Sequence, residues 1–162
     1  MSGIERMLAD IQAEVAFTRR MIGRDALDPR VMDAMGRVPR ERFVPLHLRP
    51  AAFSNGPLPI GHGQTISQPF IVALMTDLAA PWEGSVVLEV GTGCGYQAAV
   101  LSLLAERVYS VEILPELAQA AGQRLHRLGY ANVEVRAGDA WNGWPEQAPF
   151  NAILVTAAAP RV

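Results

Sequence analysis

Apolar residues Ile4, Leu8, Ile11 and Val15 recur at helical spacing with polar residues between them, so the chain is expected to open with an amphipathic helix. Asp28 followed by Pro29 reads as a cap and first-turn proline; Val31, Met32 and Met35 give this second helix a buried side, and Gly36 is a plausible stop. From Val38 to Gly63 the periodicity disappears among Pro39, Pro45, Pro50, Gly56, Pro57, Pro59 and Gly61, which predicts irregular backbone with at most short strands. Helical spacing returns at Phe70, Ile71, Ala73, Leu74, Met75 and Leu78 and closes at Ala80 and Pro81. Beyond it the pattern changes to short continuous apolar runs. Val86 to Val90 predicts a buried strand, Gly91 to Gly95 a turn, and Ala98 to Leu104 a helix. Val108 to Val111 predicts a second strand ending in Glu112, Pro115 starts a helix that Gly129 stops, and Val133 to Val135 and Ile153 to Val155 give two more strands. Strands alternating with helices imply an α/β fold whose parallel sheet binds its ligand at the carboxyl ends of the strands.

Composition narrows the picture modestly. With 162 residues, half of them hydrophobic, the chain is expected to form one structural domain around one core. Fourteen basic against sixteen acidic side chains, net -2, create no field that calls for nucleic acid. No apolar run reaches the roughly 18 residues of a spanning helix. The first residues, which include Glu5 and Asp10, lack the layout of a signal peptide. No membrane partner and a cytoplasmic location are therefore expected, in keeping with a single cysteine, Cys94. His47, His62 and His126 are scattered without ligand spacing, so no metal is expected.

Candidate chemistry begins at Glu89-Val90-Gly91-Thr92-Gly93-Cys94-Gly95-Tyr96. Alternating glycines just after a strand let the backbone turn sharply and lie against a nucleotide with no side chain between. The N-terminus of the following helix is expected to offer free amides for a phosphate or a carboxylate. Glu112, at the tip of the second strand, can accept hydrogen bonds from both ribose hydroxyls, and Asp139, after the third, can meet an adenine amino group. Dinucleotide sites usually follow G-x-G-x-x-G, whereas Gly91, Gly93 and Gly95 alternate, which favours S-adenosyl-L-methionine. The cofactor-binding candidates are Glu89, Gly91, Thr92, Gly93, Gly95, Glu112 and Asp139.

Three segments, Gly61-His62-Gly63-Gln64-Thr65-Ile66-Ser67-Gln68-Pro69, Leu88 to Gln97, and Ile153-Leu154-Val155-Thr156-Ala157-Ala158-Ala159-Pro160, closely resemble the protein-L-isoaspartate (D-aspartate) O-methyltransferase family. The first is the most specific. The resemblance implies a Rossmann-like class I S-adenosylmethionine methyltransferase fold: a parallel sheet with flanking helices and an N-terminal helical and irregular extension. Residues 1–80 are then the helical and acceptor-site segment, and 81–162 a partial cofactor-binding core. It implies a catalytic Ser67, with Thr65, Ile66 and Gln68 binding substrate, and methyl transfer to the free carboxylate of L-isoaspartyl and D-aspartyl residues in damaged proteins and peptides. The ester would collapse to a succinimide and so initiate repair. From the residues alone, Ser67 reads as a helix cap ahead of Pro69, a role that can coexist with the one the resemblance implies, Cys94 as a small packing residue, and Trp141 and Trp144 as packing or rim residues.

Members of the family continue past the position of Val162 toward a seven-stranded sheet, so C-terminal strands are expected to be missing, leaving the fourth strand as an exposed edge. Three other readings stay open at this point: a non-catalytic remnant that binds S-adenosylmethionine or a partner, a methyltransferase for a small molecule, and an NAD-dependent enzyme.

Overall fold

The computed structural model describes residues 1–157. The chain divides into two compact units, 1–78 and 79–162.

The first unit is helical with an irregular middle. Helix α1 (Gly3–Ile22) starts in a capping box: Ser2 Oγ accepts from the Glu5 amide, and the Glu5 carboxylate accepts from the Ser2 amide. It ends at Gly23, whose φ of 67° supplies the left-handed cap. Its buried stripe, Met7, Ile11 and Val15, packs with helix α2 (Pro29–Arg37), which Asp28 caps by accepting from the Arg30 amide. Gly36 does not stop α2, which runs on to Arg37. A Cβ on Gly36 would lie 3.4 Å from Leu8 Cδ1, so this glycine sits at a close α1–α2 contact. Short 3-10 turns at Arg40–Arg42 and Leu46–Ala51 follow. Strands β1 (Leu58–Gly61) and β2 (Gln64–Ile66) then pair antiparallel around His62-Gly63. Their φ values of 53° and 70° match the two positive-φ positions of a type I′ hairpin turn. Helix α3 (Pro69–Ala79) follows.

The second unit carries the alternation expected from the apolar runs. Strand β3 (Val86–Val90) leads through the glycine turn to helix α4 (Tyr96–Ser102), strand β4 (Arg107–Glu112), helix α5 (Pro115–Arg127), strand β5 (Val133–Ala137) and, after two 3-10 turns, strand β6 (Ala152–Val155). All pairs are parallel in the order β5-β4-β3-β6, with Val87 opposite Val108 and Ala152. Helix α4 begins at Tyr96, two residues earlier than its apolar pattern suggests, after the left-handed cap Gly95, and ends at Ser102, whose hydroxyl donates to the Ala99 carbonyl. Helix α5 closes as a Schellman motif: the Tyr130 amide donates to Leu125 O, the Gly129 amide to His126 O, and Gly129 takes a φ of 86°. The chain builds from β3 outward through β4 to β5 and then returns to place β6 on the opposite side of β3. That reversal puts a crevice at the carboxyl ends of β3 and β6, where open parallel sheets hold ligands. Below it, Leu88, Tyr109, Val111 and Trp144 form an apolar cluster in which the Tyr109 and Trp144 rings meet edge-on at 5.1 Å.

Among the described residues no helix is long and apolar enough to cross a membrane.

Candidate functional site

A cavity of about 500 Å³ opens at the carboxyl ends of all four parallel strands. It falls within the roughly 300–1,000 Å³ of small-ligand and cofactor sites. Val90 and Gly91 line it from β3, Glu112 and Ile113 from β4, Asp139 and Trp141 from the turn after β5, and Val155 and Ala157 from β6 and beyond. Of the sequence-derived cofactor residues, Gly91, Glu112 and Asp139 therefore share one cavity wall. Glu89, Thr92, Gly93 and Gly95 do not line it and stand behind it.

The glycine turn is held from within. Its amides at Gly91, Gly93 and Gly95 donate to Val111 O, Glu112 Oε2 and Thr92 O at 2.8, 2.8 and 2.9 Å. These three amides of the turn are thus taken up within the protein. What the glycines offer a ligand is the absence of side chains. A Cβ on Gly91 would come within 2.8 Å of Ala157 Cβ and 3.0 Å of Thr156 Oγ1, and its φ of 97° independently favours glycine. The Thr156 hydroxyl donates to the carbonyls of Val90 and Gly91 at 3.0 and 2.7 Å, clasping β6 to the start of the turn. Nothing in the sequence pattern assigns Thr156 this role. Residues 158–160 of the same quoted segment lie outside the described residues.

Glu112 is buried and accepts one backbone amide on each oxygen, from Gly93 and from Leu114. Each carboxylate oxygen has two acceptor sites, so one per oxygen is left for a ribose diol. Asp139 Oδ1 caps the following turn by accepting from the Trp141 amide, and Oδ2 is left to a ligand. Glu89 is fully buried. Its Oε1 accepts from Ser110 Oγ, which also bonds Thr92 Oγ1, while Oε2 has no hydrogen-bond partner among the described residues. Burial, opposed by the Ser110 bond and aided by the nearby Glu112 charge, pushes the Glu89 carboxyl up to about 8. A buried glutamate beneath the turn was flagged from sequence as a cofactor residue. Its place in the structure is that of a support for Thr92.

In the first unit, Thr65 is exposed, Ile66 buried, and Ser67 and Gln68 half-buried. Ile66 anchors the hairpin to the core while its neighbours reach the surface. Helix α3 begins at Pro69, and the Val72 amide bonds to Gln68 O, which puts Gln68 rather than Ser67 at the cap position. The Ser67 hydroxyl makes no hydrogen bond among the described residues. The segment is fixed by other groups. Arg40, fully buried, donates through Nε to Ala52 O at 2.8 Å and through Nη2 to Ser67 O at 2.7 Å. Gln68 Nε2 donates to Asn55 Oδ1, and Asn55 Nδ2 to Glu14 Oε1. Sequence reasoning missed Arg40 entirely. Its only signal is an arginine flanked by Val38 and Phe43, both of which are buried.

Cys94 is buried, and its carbonyl accepts from Arg124 Nη1. Trp144 packs in the apolar cluster with Arg136 stacked 4.2 Å from its ring, whereas Trp141 stands on the cavity rim.

Comparison with known proteins adds a second line of observation. The family described as Protein-L-isoaspartate(D-aspartate) O-methyltransferase matches residues 17–162. A protein-L-isoaspartate O-methyltransferase 2 of Nitrosococcus oceani is 58% identical over the whole of this chain, which spans 74% of that relative. One from Polaromonas is 60% identical over 96% of the chain, again spanning 74% of the relative. Among solved structures, a protein-L-isoaspartate O-methyltransferase superposes with a TM-score of 0.73 at 30% identity, covering 90% of this chain and 47% of that one. A putative enzyme of the same name from Plasmodium falciparum, solved with S-adenosyl-L-homocysteine, has a TM-score of 0.69 at 22% identity over 94% of this chain and 74% of its own, and shares the fold.

Proposed function

This chain belongs to the protein-L-isoaspartate(D-aspartate) O-methyltransferase family, and from that premise we propose that it transfers a methyl group from S-adenosyl-L-methionine to the free carboxylate of isoaspartyl and D-aspartyl residues in damaged proteins and peptides. The observation that carries the cofactor half is the cavity at the strand ends, where a glycine that has no room for a side chain is followed, strand by strand, by two carboxylates with spare acceptor sites.

In this reading residues 81–162 are the cofactor core and residues 1–80 carry the acceptor segment. Glu112 accepts the ribose hydroxyls and Asp139 the adenine amino group. Gly91 lets the backbone lie against the ligand, and Glu89, Thr92, Gly93 and Gly95 hold the turn in shape. When bound, the cofactor supplies an electrophilic methyl group on a sulfonium. An isoaspartyl residue presents an α-type carboxyl with a reference pKa of about 3.5, so it is ionised at neutral pH and needs no strong base to become a nucleophile. The chain's task is alignment and exclusion of water, a contribution worth roughly 7 to 11 kcal/mol in well-oriented reactions. Thr65 and Ser67 donate hydrogen bonds to the acceptor carboxylate, with Ile66 and Gln68 fixing the segment beside it. The uncommitted Ser67 hydroxyl supports this assignment over capping. In the methyl ester, the neighbouring backbone nitrogen attacks the carbonyl and expels methanol. The resulting succinimide hydrolyses partly to normal aspartate. Repeated cycles repair the chain. The lone buried thiol, Cys94, accords with work in a reducing cytoplasm.

Incubation with methyl-labelled cofactor and an isoaspartyl peptide should yield base-labile ester, with the matching aspartyl peptide silent. Ser67→Ala should lower turnover on the isoaspartyl peptide about tenfold or more while cofactor affinity stays unchanged. Equal labelling of the two peptides would remove the isoaspartyl assignment.

A further inference from the structure

Two tryptophans three residues apart on the strap after β5 have opposite fates. Trp144 is 6% exposed and belongs to the apolar cluster; Trp141 is 79% exposed and lines the cavity. The strap that carries them is tightly held. Asp139 Oδ1 accepts from the Trp141 amide, the Gly143 amide donates to Ala140 O, and Arg136 Nη2 donates to Gly143 O while its guanidinium stacks on Trp144. Trp141 is therefore a large, flat apolar group whose backbone is fixed but whose ring has been left in solvent at the mouth of a ligand cavity.

Sheet order indicates what would cover it. Reading from β3 outward, Gly91 is followed by Glu112 on β4 and then by Asp139 and Trp141 after β5. If Glu112 takes the ribose and Asp139 the amino group of the base, the base lies on the β5 side. Two exposed apolar side chains among the lining residues belong to that side, Ile113 at 67% exposed and Trp141. An aromatic base is the part of the ligand that gains by meeting an indole, because stacking on an aromatic side chain is sequence-tolerant and strong for its area. Resting on the cofactor reading above, we propose that Trp141 is a ligand-binding residue that stacks on the purine of the adenosyl ligand and closes the cavity mouth over it.

Calorimetry with S-adenosylhomocysteine and with adenosine tests this on the whole chain. Trp141→Ala should weaken both ligands by the same factor, about tenfold given the range for base stacking, because the contact is to the base. Trp141→Phe should restore affinity to within about threefold. The urea midpoint should not move in either variant, since the ring is exposed. Tryptophan emission of the unaltered chain should change on titration with adenosine, and that change should vanish in Trp141→Phe. Unchanged affinity of Trp141→Ala for S-adenosylhomocysteine would overturn the proposal, as would a loss seen with S-adenosylhomocysteine but not with adenosine. Failure of the unaltered chain to bind either ligand would instead overturn the cofactor reading and this inference with it.

Discussion

In the turn Gly91 to Gly95 the backbone is locked and side chains are almost absent, whereas in the segment Gln64 to Gln68 side chains are presented and the backbone is tied down at a few points. Two turn amides bond to acceptors on β4 and a third bonds within the turn, and Thr156 clasps two carbonyls at its start. The acceptor segment has one buried anchor side chain, Ile66, one guanidinium on the Ser67 carbonyl, and a polar chain through Asn55 to Glu14. The contrast fits the two partners proposed. A cofactor of fixed shape rewards a preorganised wall, while a damaged protein of varied sequence can only be gripped where hydroxyls stand clear of the surface.

Glycine replacement is the sharpest way to break this comparison. Gly91→Ala puts a methyl group against Ala157 and Thr156 in a left-handed backbone, which should cost about 4 kcal/mol of stability and abolish cofactor binding. Gly63→Ala meets nothing within 4 Å and carries only the strain of its φ of 70°, about 1 kcal/mol. Urea denaturation and calorimetry of the pair should separate them widely. Similar losses would mean that the turn is no more constrained than the hairpin.

A second test titrates the support beneath the turn. Below about pH 4.5 Glu89 is protonated in both folded and unfolded chains, and above about 8 it is ionised in both. Between these values the unfolded chain gives up a proton that the folded chain retains. Stability contributed by this group is therefore full at low pH and lost as pH rises toward 8, with a slope of at most about 1.4 kcal/mol per pH unit. Glu89→Gln keeps an acceptor for Ser110 without the charge. It should remove the slope and leave the variant about 3.5 kcal/mol more stable relative to the parent at pH 8 than at pH 5. Parallel urea midpoints from pH 5 to 9 would show that the buried carboxyl does not titrate with folding.

The same contrast explains what was legible in the sequence. Strands β3 and β4 announce themselves because parallel strands buried on both faces read as short apolar runs, and Gly91, Glu112 and Asp139 fall after β3, at the end of β4 and after β5 by counting alone. The position of β6 beside β3 was not readable, since an apolar run carries no record of its neighbour. Gly36 misled because glycine at a close helix contact and glycine at a helix end look alike in one sequence. Trp141 and Trp144 could not be told apart either, because only the strap's path through the Arg136 contacts sends one ring inward and the other to the cavity. Ser67 reads as a cap from its residues alone, and it is Gln68 that occupies the capping position, because a serine ahead of a proline carries no record of which carbonyl takes the first helical bond.

Arg40 is the anchor that the sequence hid, and it offers a test confined to the first unit. Arg40→Met fills much of the volume but deprives the carbonyls of Ala52 and Ser67 of their donor. Leaving buried acceptors unmet should cost about 2 kcal/mol, and limited proteolysis should gain a cut within residues 45–68. An unchanged cleavage pattern would mean that the Asn55 chain suffices to fix the segment.

The smallest effect should come from the clasp on the turn. Thr156→Val preserves shape and removes one hydroxyl hydrogen, which is shared between the Val90 and Gly91 carbonyls. Both carbonyls retain another partner or a lone pair open to the cavity, because Gly91 lines it. The stability cost should therefore be near the net worth of a single hydrogen bond, about 1 kcal/mol, rather than two. If the turn is as preorganised as its glycine amides indicate, S-adenosylhomocysteine affinity should fall only about threefold, since the bonds from Gly91, Gly93 and Gly95 remain. A loss as large as that of Gly91→Ala would place the turn's rigidity in the clasp instead, and would make this wall of the cavity resemble the acceptor segment, held at one point.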